Sequence, residues 1–596
     1  MPYTSTLDTR IHFLKVRNIM NMKTQIGILF LSCVIIIQCF AADGWDDNKA
    51  DGIAKDFVAG FRVKNASLIV KHISSNYQYE KGVTRDTIKE RFRYLCAARD
   101  SFQGVYLGCI SLDNGNKVLK FNIENAGKGS HDPLLQIDAM IDSSYEIIKF
   151  IDPAENLDQM RKQFQSAYMA ASPYGVLTEA QKAMGFMKMW TTVSNNFSNF
   201  DQVPQINWES VFYEYYPQVL AAKDISSYYK NLQKCLSLLR DGHTIVGYPH
   251  DAATPGVLLN MVEGKLVIVD FIENDETKKA ALLRGEEMTS IDGRNALKVL
   301  ANEVLPYYPR STSQDIDNAL VQMLWGAPST TVQLGIRDRV GKIRTVVLTR
   351  APEGYIFPWN NRPHVASHWL PDSILHVTLN DFACDSIFAR FDSIYKSQII
   401  AAKGIILDVR ENTYGYNRIG LPLVSYFIDK NISAERIRSR RIVPMYSGSG
   451  GGTQGWQIDT VFIRPQDKKH FGGPVVVLQG PHTVGAAEEF VVALQANKLA
   501  VVVGEKSAGS AGTILPAILP GGGILNVNVS RCEYPDGKGF VGIGVSPDVE
   551  ISTTQKNISD SEDPVLKKGL EVLLRIAKKT TADSYSNTFE KQRRKM

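Results

Sequence analysis

The residues of this chain that could do chemistry are concentrated around a short turn near residue 485. Residues 475–478 are all apolar and mostly β-branched, which is typical of a strand buried on both faces. Gly480 and Pro481 end this run, and apolar side chains at helical spacing predict a helix over residues 486–495. Such a strand, turn and helix suit a nucleophile, because the turn exposes a side chain and the first helix amides can hold a developing oxyanion.

This segment resembles the tail-specific (C-terminal-processing) serine peptidases, in particular their tricorn-core and retinoid-binding-protein-like branch. The matching motifs, which fall within a resemblance that covers roughly residues 165–555, are GPHTVGAAEEF, VVGEKSAGSAGT, LPGGG, YPDG and FVGIGVSPDVE. In that family the turn carries Thr-x-Ser-Ala-Ala-Glu, and its serine attacks the peptide carbonyl. The same line here runs from Thr483 to Glu488 and puts Gly485 at the nucleophile position. The resemblance therefore implies a serine peptidase fold that lacks the attacking oxygen.

The resemblance also implies where the other parts of the site lie. His243, in the sequence LRDGHT, has the position of the general base that takes the serine proton, a task that suits an imidazole. The glutamate that orients this histidine in the family corresponds to Gly539. Backbone amides of Gly415 and Ala486 would form the oxyanion hole, but the family's Asn-Gly-Gly loop has become ENTYG at residues 411–415. Losing the nucleophile, the acid and part of this loop predicts no useful hydrolysis.

Three functional hypotheses follow. The first is a family member with a degenerate site that binds peptide or protein C-terminal tails without cutting them. The second is an active serine peptidase with a displaced nucleophile, for which Thr483, Ser507 and Ser510 are the candidates. The third is a binding module for peptides or apolar small molecules, because the retinoid-binding relatives use this fold in that way.

The order of the elements predicts an α/β fold with a layered, mostly parallel sheet in a tail-specific-protease-type domain at residues 353–555. The remaining parts are predicted to be an N-terminal α+β domain of unknown role (43–150), a helical segment ending in DGHT (155–250), a PDZ-like domain (251–352) and a C-terminal helix and tail (556–596). The PDZ-like domain is expected to bind an extended peptide as an added strand. A hairpin is predicted from strands at 105–112 and 117–123, and the last helix over 564–578, with a disordered remainder.

Residues 22–41 have the pattern of a secretory signal peptide. Lys23 precedes an apolar run at residues 26–37, and Ala41 lies where a small residue precedes cleavage. We therefore expect export to the periplasm or the extracellular space, with a lipid anchor on Cys39 as the less favoured alternative. No other run is long enough to predict a membrane-spanning helix.

Charge and cysteine content argue against several other classes of protein. The formal net charge is +5 over 596 residues, and nothing indicates a nucleic-acid partner. The five cysteines outside the signal do not form a disulfide framework, and Cys96 and Cys109 could be bridged or could be buried thiols. No segment has zinc-ligand spacing, so neither a metal nor a cofactor is predicted.

Overall fold

The computed structural model divides the chain into two units, residues 1–163 and residues 164–596. The residues that it describes are 102–111, 117–125, 133–141, 147–151, 176–248, 252–309, 312–351, 362–442, 454–466 and 470–593, with Ile53, Asp56, Lys71 and His250. The predicted signal peptide at residues 22–41, with Cys39, and also Cys96 lie outside the described residues. The expectations of export, of a lipid anchor and of a Cys96–Cys109 bridge therefore remain predictions.

Four antiparallel strands make up most of the described part of the first unit. They are β1 (Phe102–Ser111), β2 (Lys117–Asn125), β3 (Pro133–Ile141) and β4 (Ile147–Ile151). Each strand pairs with the next along the chain, in the order β1-β2-β3-β4. The pairing of Ser111 with Lys117 places the predicted hairpin where the sequence indicated it.

Three helices open the second unit: α1 (Glu179–Asn196), α2 (Trp208–Leu220) and α3 (Ile225–Ser237). Asp224 caps α3, since its carboxylate accepts a hydrogen bond of 2.7 Å from the backbone amide of Ser227. The aromatic side chains of Phe197 and Trp208 are buried in the core of these helices. The helices thus form one packed block directly ahead of His243.

A largely antiparallel sheet with short helices follows. Its part of the chain contains β5 (Ile245–Gly247), β6 (Val257–Val262), β7 (Lys265–Phe271), α4 (Asp275–Lys279), β8 (Glu287–Ile291), β9 (Arg294–Asn295), α5 (Ala296–Val299), α6 (Ser313–Met323), β10 (Thr331–Arg337) and β11 (Ile343–Thr349). The sheet has the order β11-β10-β8-β7-β6, with β9 paired to β8, and β6 lies at its edge. Helix α6 packs against this sheet and shares its apolar core.

The remaining elements build the domain that carries the turn. They are β12 (Val365–Leu370), β13 (Ile374–Leu379), α7 (Ser386–Ser397), β14 (Gly404–Asp408), α8 (Asn417–Leu423), β15 (Ile432–Ile442), β16 (Gln454–Ile463), β17 (Val475–Gln479), α9 (Ala486–Ala496), β18 (Val501–Gly504), β19 (Ile514–Ile518), β20 (Ile524–Asn528), β21 (Ser530–Glu533), β22 (Val549–Glu550), α10 (Gln555–Asp560) and α11 (Pro564–Arg593). The main sheet has the order β12-β13-β14-β17-β18-β22. All its pairings are parallel except that of β12 with β13.

Both faces of this main sheet are covered, which confirms the predicted layered, mostly parallel α/β fold. On β14, Ile405 and Leu407 belong to the apolar cluster that includes α7, α8 and α9. Ile406, between them, belongs to a second cluster that includes Val572 and Leu573 of α11. Successive side chains of a strand point to opposite faces, so a strand between two helical layers is apolar at every position.

Two small antiparallel sheets connect the second unit's parts, with the orders β16-β15-β21 and β19-β20-β5. In the latter, Asn526 of β20 pairs with Ile245 of β5. Because Ile245 follows His243 by two residues, this pairing fixes the histidine loop against the domain that carries Gly485.

Helix α11 is longer than the sequence analysis predicted. It runs to Arg593 instead of ending near Lys578. The residues after Lys578, which we expected to be disordered, therefore continue the helix as far as Arg593. No proline or glycine interrupts residues 579–593, and helix propagation is easy once the packed first turns have formed. Across the described part of the chain, no helix combines the length and apolar character needed to cross a bilayer.

Candidate active site

The turn between β17 and α9 holds Gly485 in an unusual backbone conformation. Its φ is 58° and its ψ is −117° at the residue that precedes α9. Residues with a side chain adopt this region only under strain, as the nucleophile does in a strand-to-helix elbow. A Cβ atom built on Gly485 would lie 4.0 Å from Cε1 of His243 and 3.7 Å from the carbonyl oxygen of Ser510. The position is therefore open and close to the imidazole.

The hydroxyl of Thr483 is used to hold the turn. This side chain is fully buried, and its Oγ1 donates to the carbonyl oxygen of Val409 at 2.9 Å. Oγ1 of Thr483 also accepts a hydrogen bond from the backbone amide of Gly480 at 3.0 Å. Both partners tie the turn to the end of the central strands, so Thr483 has a structural task.

Glu488 of α9 organises the walls around Gly485. Its buried carboxylate accepts hydrogen bonds from the amides of Gly485 (3.1 Å), Gly509 (2.6 Å) and Ser510 (2.8 Å), and from the hydroxyl of Ser507. Burial raises the pKa of Glu488 to about 7, although these donors oppose the shift. The capping-box glutamate thus fixes the turn and the 507–510 loop relative to each other.

The loop that carries His243 is built on a second buried acid. Asp241 accepts from the amide of His243 at 3.0 Å. It also accepts from the side-chain amides of Asn199 (2.8 Å) and Asn528 (3.1 Å). These bonds link the helical block and β20 to the histidine loop, which explains why His243 and Gly485, 242 residues apart in sequence, meet.

Burial favours the neutral form of the His243 imidazole, and one of its ring nitrogens has no hydrogen-bond partner among the described residues. Burial lowers its pKa, and the carboxylates of Asp241 and Asp315 oppose this only in part. Its Nδ1 is buried and has no hydrogen-bond partner among the described residues. Gly539 pairs with Glu533. A Cβ atom built on Gly539 would have no heavy atom of the described residues within 4 Å.

The two residues expected to form the oxyanion hole lie on adjacent segments. Ala486 is the first residue of α9, where amides have no acceptor within the helix. Gly415 pairs with Phe382 and has a φ of 146°. There is no room for a Cβ on Gly415, because it would lie 2.4 Å from the carbonyl carbon of Phe382. The amide of Val484 donates to the carbonyl oxygen of Asn412 at 3.0 Å, so the 411–415 loop contacts the turn.

A cluster beside the turn was not found by sequence reasoning. Nδ1 of His482 lies 3.2 Å from Oε2 of Glu411, and its Nε2 lies 3.4 Å from Oδ2 of Asp317 on α6. Although burial alone would lower the pKa of His482, the two carboxylates raise it to about 10. We call these three residues the His482 cluster. Asp317, like Asp315 near His243, lies far from the turn in the sequence, in a segment for which only peptide binding was predicted. No local pattern could therefore have indicated either residue.

Comparison with known proteins relates one part of this chain to a peptidase family. Residues 373–551 match the model described as peptidase family S41. The chain is 22% identical over 302 residues to a protein described as a probable CtpA-like serine protease of Staphylococcus haemolyticus, which covers 50% of this chain and 53% of that protein. It is 25% identical over 307 residues to carboxyl-terminal-processing peptidase 2, chloroplastic, of Arabidopsis thaliana, with 51% and 52% covered. The chain spans about half the length of these curated relatives.

The fold is also similar to a solved structure. Mature CPAF complexed with lactacystin superposes with a TM-score of 0.54 at 15% identity, covering 68% of this chain and 98% of that chain. At this level of identity the likeness concerns the fold alone.

Proposed function

Residues 373–551 of this chain form a domain of peptidase family S41, and on that premise we propose that the protein is a tail-specific serine peptidase homologue with an impaired catalytic site. One observation carries the proposal. At the elbow, where a nucleophile's side chain would point at His243 from 4.0 Å, there is a glycine. Covalent attack on a peptide carbonyl needs a side-chain oxygen at that point.

The other hydroxyls near the elbow support this proposal. Those of Thr483 and Ser507 are buried and donate to Val409 and Glu488. The hydroxyl of Ser510 lies beside the loop that carries His243, since a Cβ on Gly242 would be 2.9 Å from Ser510 Oγ. Of the three candidates for a displaced nucleophile, Ser510 therefore has the least structural commitment.

The setting of His243 supports a second defect. A general base needs a partner that holds the ring and stabilises its charged form, and loss of that partner alone costs about 10⁴ in rate. Buried Nδ1 lacks such a partner among the described residues, and Gly539 supplies none. Impairment would then have two separate causes, at Gly485 and at Gly539.

Labelling with a fluorophosphonate probe tests the proposal directly. We expect no labelling of the natural chain and little of Gly485→Ser, because the imidazole remains unsupported. The double variant Gly485→Ser with Gly539→Glu should label at least about 100-fold faster than Gly485→Ser alone. Adding His243→Ala to the double variant is the matched control and should abolish the gain.

Labelling of the natural chain on Ser510 would replace the proposal with the displaced-nucleophile alternative. Strong labelling of Gly485→Ser alone would show that only the nucleophile is missing, and the second defect would then be wrong.

We further propose that residues 251–352 form a PDZ-like domain that binds the C-terminal tails of peptides or proteins. Support comes from the edge strand β6 and helix α6 beside it. A carboxylate already engages this edge, since Oδ1 of Asp317 accepts from the amide of Met261 at 3.3 Å. A peptide tail could add to the same edge. Fluorescence anisotropy of a library of labelled C-terminal peptides tests this.

A binding function for apolar small molecules is the second candidate. A cavity of about 290 Å³ lies between α3, β5 and α6, and it is lined by Leu236, Tyr248, Tyr307 and Trp325 among others. Its size is at the lower end of ligand sites. Mass spectrometry of an organic extract of the purified protein would identify a bound compound.

Export, proposed from residues 22–41, is tested by N-terminal sequencing of the mature protein.

A further inference from the structure

Three acidic or thiol side chains from distant segments meet inside the domain that carries the turn. Glu435 lies on β15, Glu489 on α9 and Cys532 on β21. One ligand atom of each lies within 4.8 Å of the other two. All three residues are buried, with exposed fractions of 0%, 5% and 2% respectively. We call them the Glu435 cluster.

The cluster is short of hydrogen-bond donors. Both carboxylate oxygens of Glu435 and Oε2 of Glu489 are buried without a hydrogen-bond partner among the described residues. Within the cluster, Sγ of Cys532 donates to Oε1 of Glu489 at 3.3 Å. A buried carboxylate without donors is costly, and a cation or a proton must compensate it.

The arginines of the same strands cannot supply that cation. Ile437 pairs with Cys532, Arg436 with Glu533 and Arg438 with Arg531, so strand alternation puts Glu435 and Cys532 on the inner face and these three arginines on the outer face. Arg436 lies 3.7 Å from Glu533 on that outer face. The sheet therefore separates the positive side chains from the Glu435 cluster.

We propose that Glu435, Glu489 and Cys532 bind a divalent transition-metal ion, with Zn²⁺ as the best match. One thiolate and two carboxylates give three protein ligands of the kinds that Zn²⁺ accepts, with a fourth position open. Tetrahedral Zn²⁺ with bonds of about 2.0–2.3 Å needs ligand atoms about 3.5 Å apart, so the side chains would close by about 1 Å.

The surroundings of the cluster suit a structural ion. Exposed Asn417, the first residue of α8, lies near the carboxyl group of Glu489 and marks the side nearest to solvent. The amide of Glu489 in turn donates to the carbonyl oxygen of Gly485 at 3.1 Å. An ion there would tie the first turn of α9 to β15 and β21, and this inference does not depend on the proposed function.

Protonation is the competing explanation. Burial and the neighbouring Glu489 raise the pKa of Glu435 well above its ordinary value, so without a cation this carboxyl would hold a proton. If a proton is the only compensating charge, the cluster should take up no metal near neutral pH and should keep a neutral thiol. These properties separate the two explanations experimentally.

The test uses the full chain, purified without a histidine tag or chelator. After equilibration with ZnCl₂ and removal of free metal, we expect one zinc per chain by plasma mass spectrometry. Substitution with Co²⁺ should give a near-ultraviolet thiolate-to-cobalt charge-transfer band. Cys532→Ser should lose this band, and Glu435→Gln, which keeps the shape, should weaken metal affinity about 10- to 100-fold.

Cys235→Ser is the matched control, because Cys235 is also a buried free cysteine but lies in α3. It should keep both the zinc and the band. A folded natural chain, judged by circular dichroism, that takes up no zinc and shows no band overturns the proposal. So does a band that survives in Cys532→Ser; if that variant does not fold, the affinity of Glu435→Gln decides, and an unchanged affinity overturns the proposal.

Discussion

At the scale of single residues, two glycines near the turn have positive φ for different reasons. Gly485 has φ 58° with open space around it, whereas Gly415 has φ 146° and lies against the backbone of Phe382. The first glycine avoids only backbone strain. The second avoids strain and a steric overlap, so the two positions can be compared directly.

Alanine at these two positions should therefore have different costs. We expect Gly485→Ala to lower the free energy of unfolding by about 1–2 kcal/mol, from backbone strain. Gly415→Ala should lower it by about 3 kcal/mol or more, because its Cβ would lie 2.4 Å from a backbone carbon. Urea unfolding followed by fluorescence measures both. Equal losses would contradict the assigned causes.

At the scale of elements, apolar runs and helix caps were readable from the sequence. The strand β17 was predicted because burial on both faces leaves a run without polar interruption, and β13 and β14 have the same mostly apolar character. Asp224 marked the start of α3 because its carboxylate satisfies a free amide. The end of α11 was missed, because no breaking residue marks it.

The sites depend on contacts between elements, and these were readable only in part. Gly485 and His243 were predicted to meet because the family resemblance fixes their positions, and a Cβ on Gly485 would lie 4.0 Å from Cε1 of His243. The His482 cluster joins the turn, the 411–415 loop and α6, and the Glu435 cluster joins a helix and two strands. Only strand register and packing bring such residues together, so spacing along the chain could not indicate either cluster.

The His482 cluster should make stability depend on pH. The charged groups that face His482 are Asp317, Glu411 and Glu505, all acids, and they favour its protonated form. Its pKa is raised to about 10 in the folded chain, against about 6.5 when unfolded. The stabilisation is then complete below about pH 6.5 and is lost as pH rises towards 10. Because Glu411 is 44% exposed, we expect only about 1–2 kcal/mol.

The measurement compares the natural chain with His482→Gln. The difference in free energy of unfolding should be largest near pH 6 and should shrink towards pH 10. His470→Gln replaces a histidine outside the cluster and serves as the control for the substitution itself. A difference for His482→Gln that stays constant with pH would rule out a charged imidazole.

At the scale of the whole molecule, the four apolar clusters that position the site are built from residues 177–573. They include the core of the helical block, the core beneath α6 and both faces of the main sheet. All residues of these four apolar clusters therefore belong to the second unit. That property makes its independent folding testable.

We expect a fragment of residues 164–596 to fold without the first unit. Its unfolding should be cooperative, with Tm within about 3 °C of the main transition of the full chain, because its cores stay intact.

A fragment of residues 208–596 is the matched control. It lacks α1, and with it Phe186, Met189 and Val193, which are fully buried in the core of the helical block. Losing three such side chains should cost well over 5 kcal/mol and leave no cooperative transition. Scanning calorimetry distinguishes the two fragments. If 164–596 aggregates or melts without cooperativity, the first unit contributes to the stability of the site, and its role must be sought there.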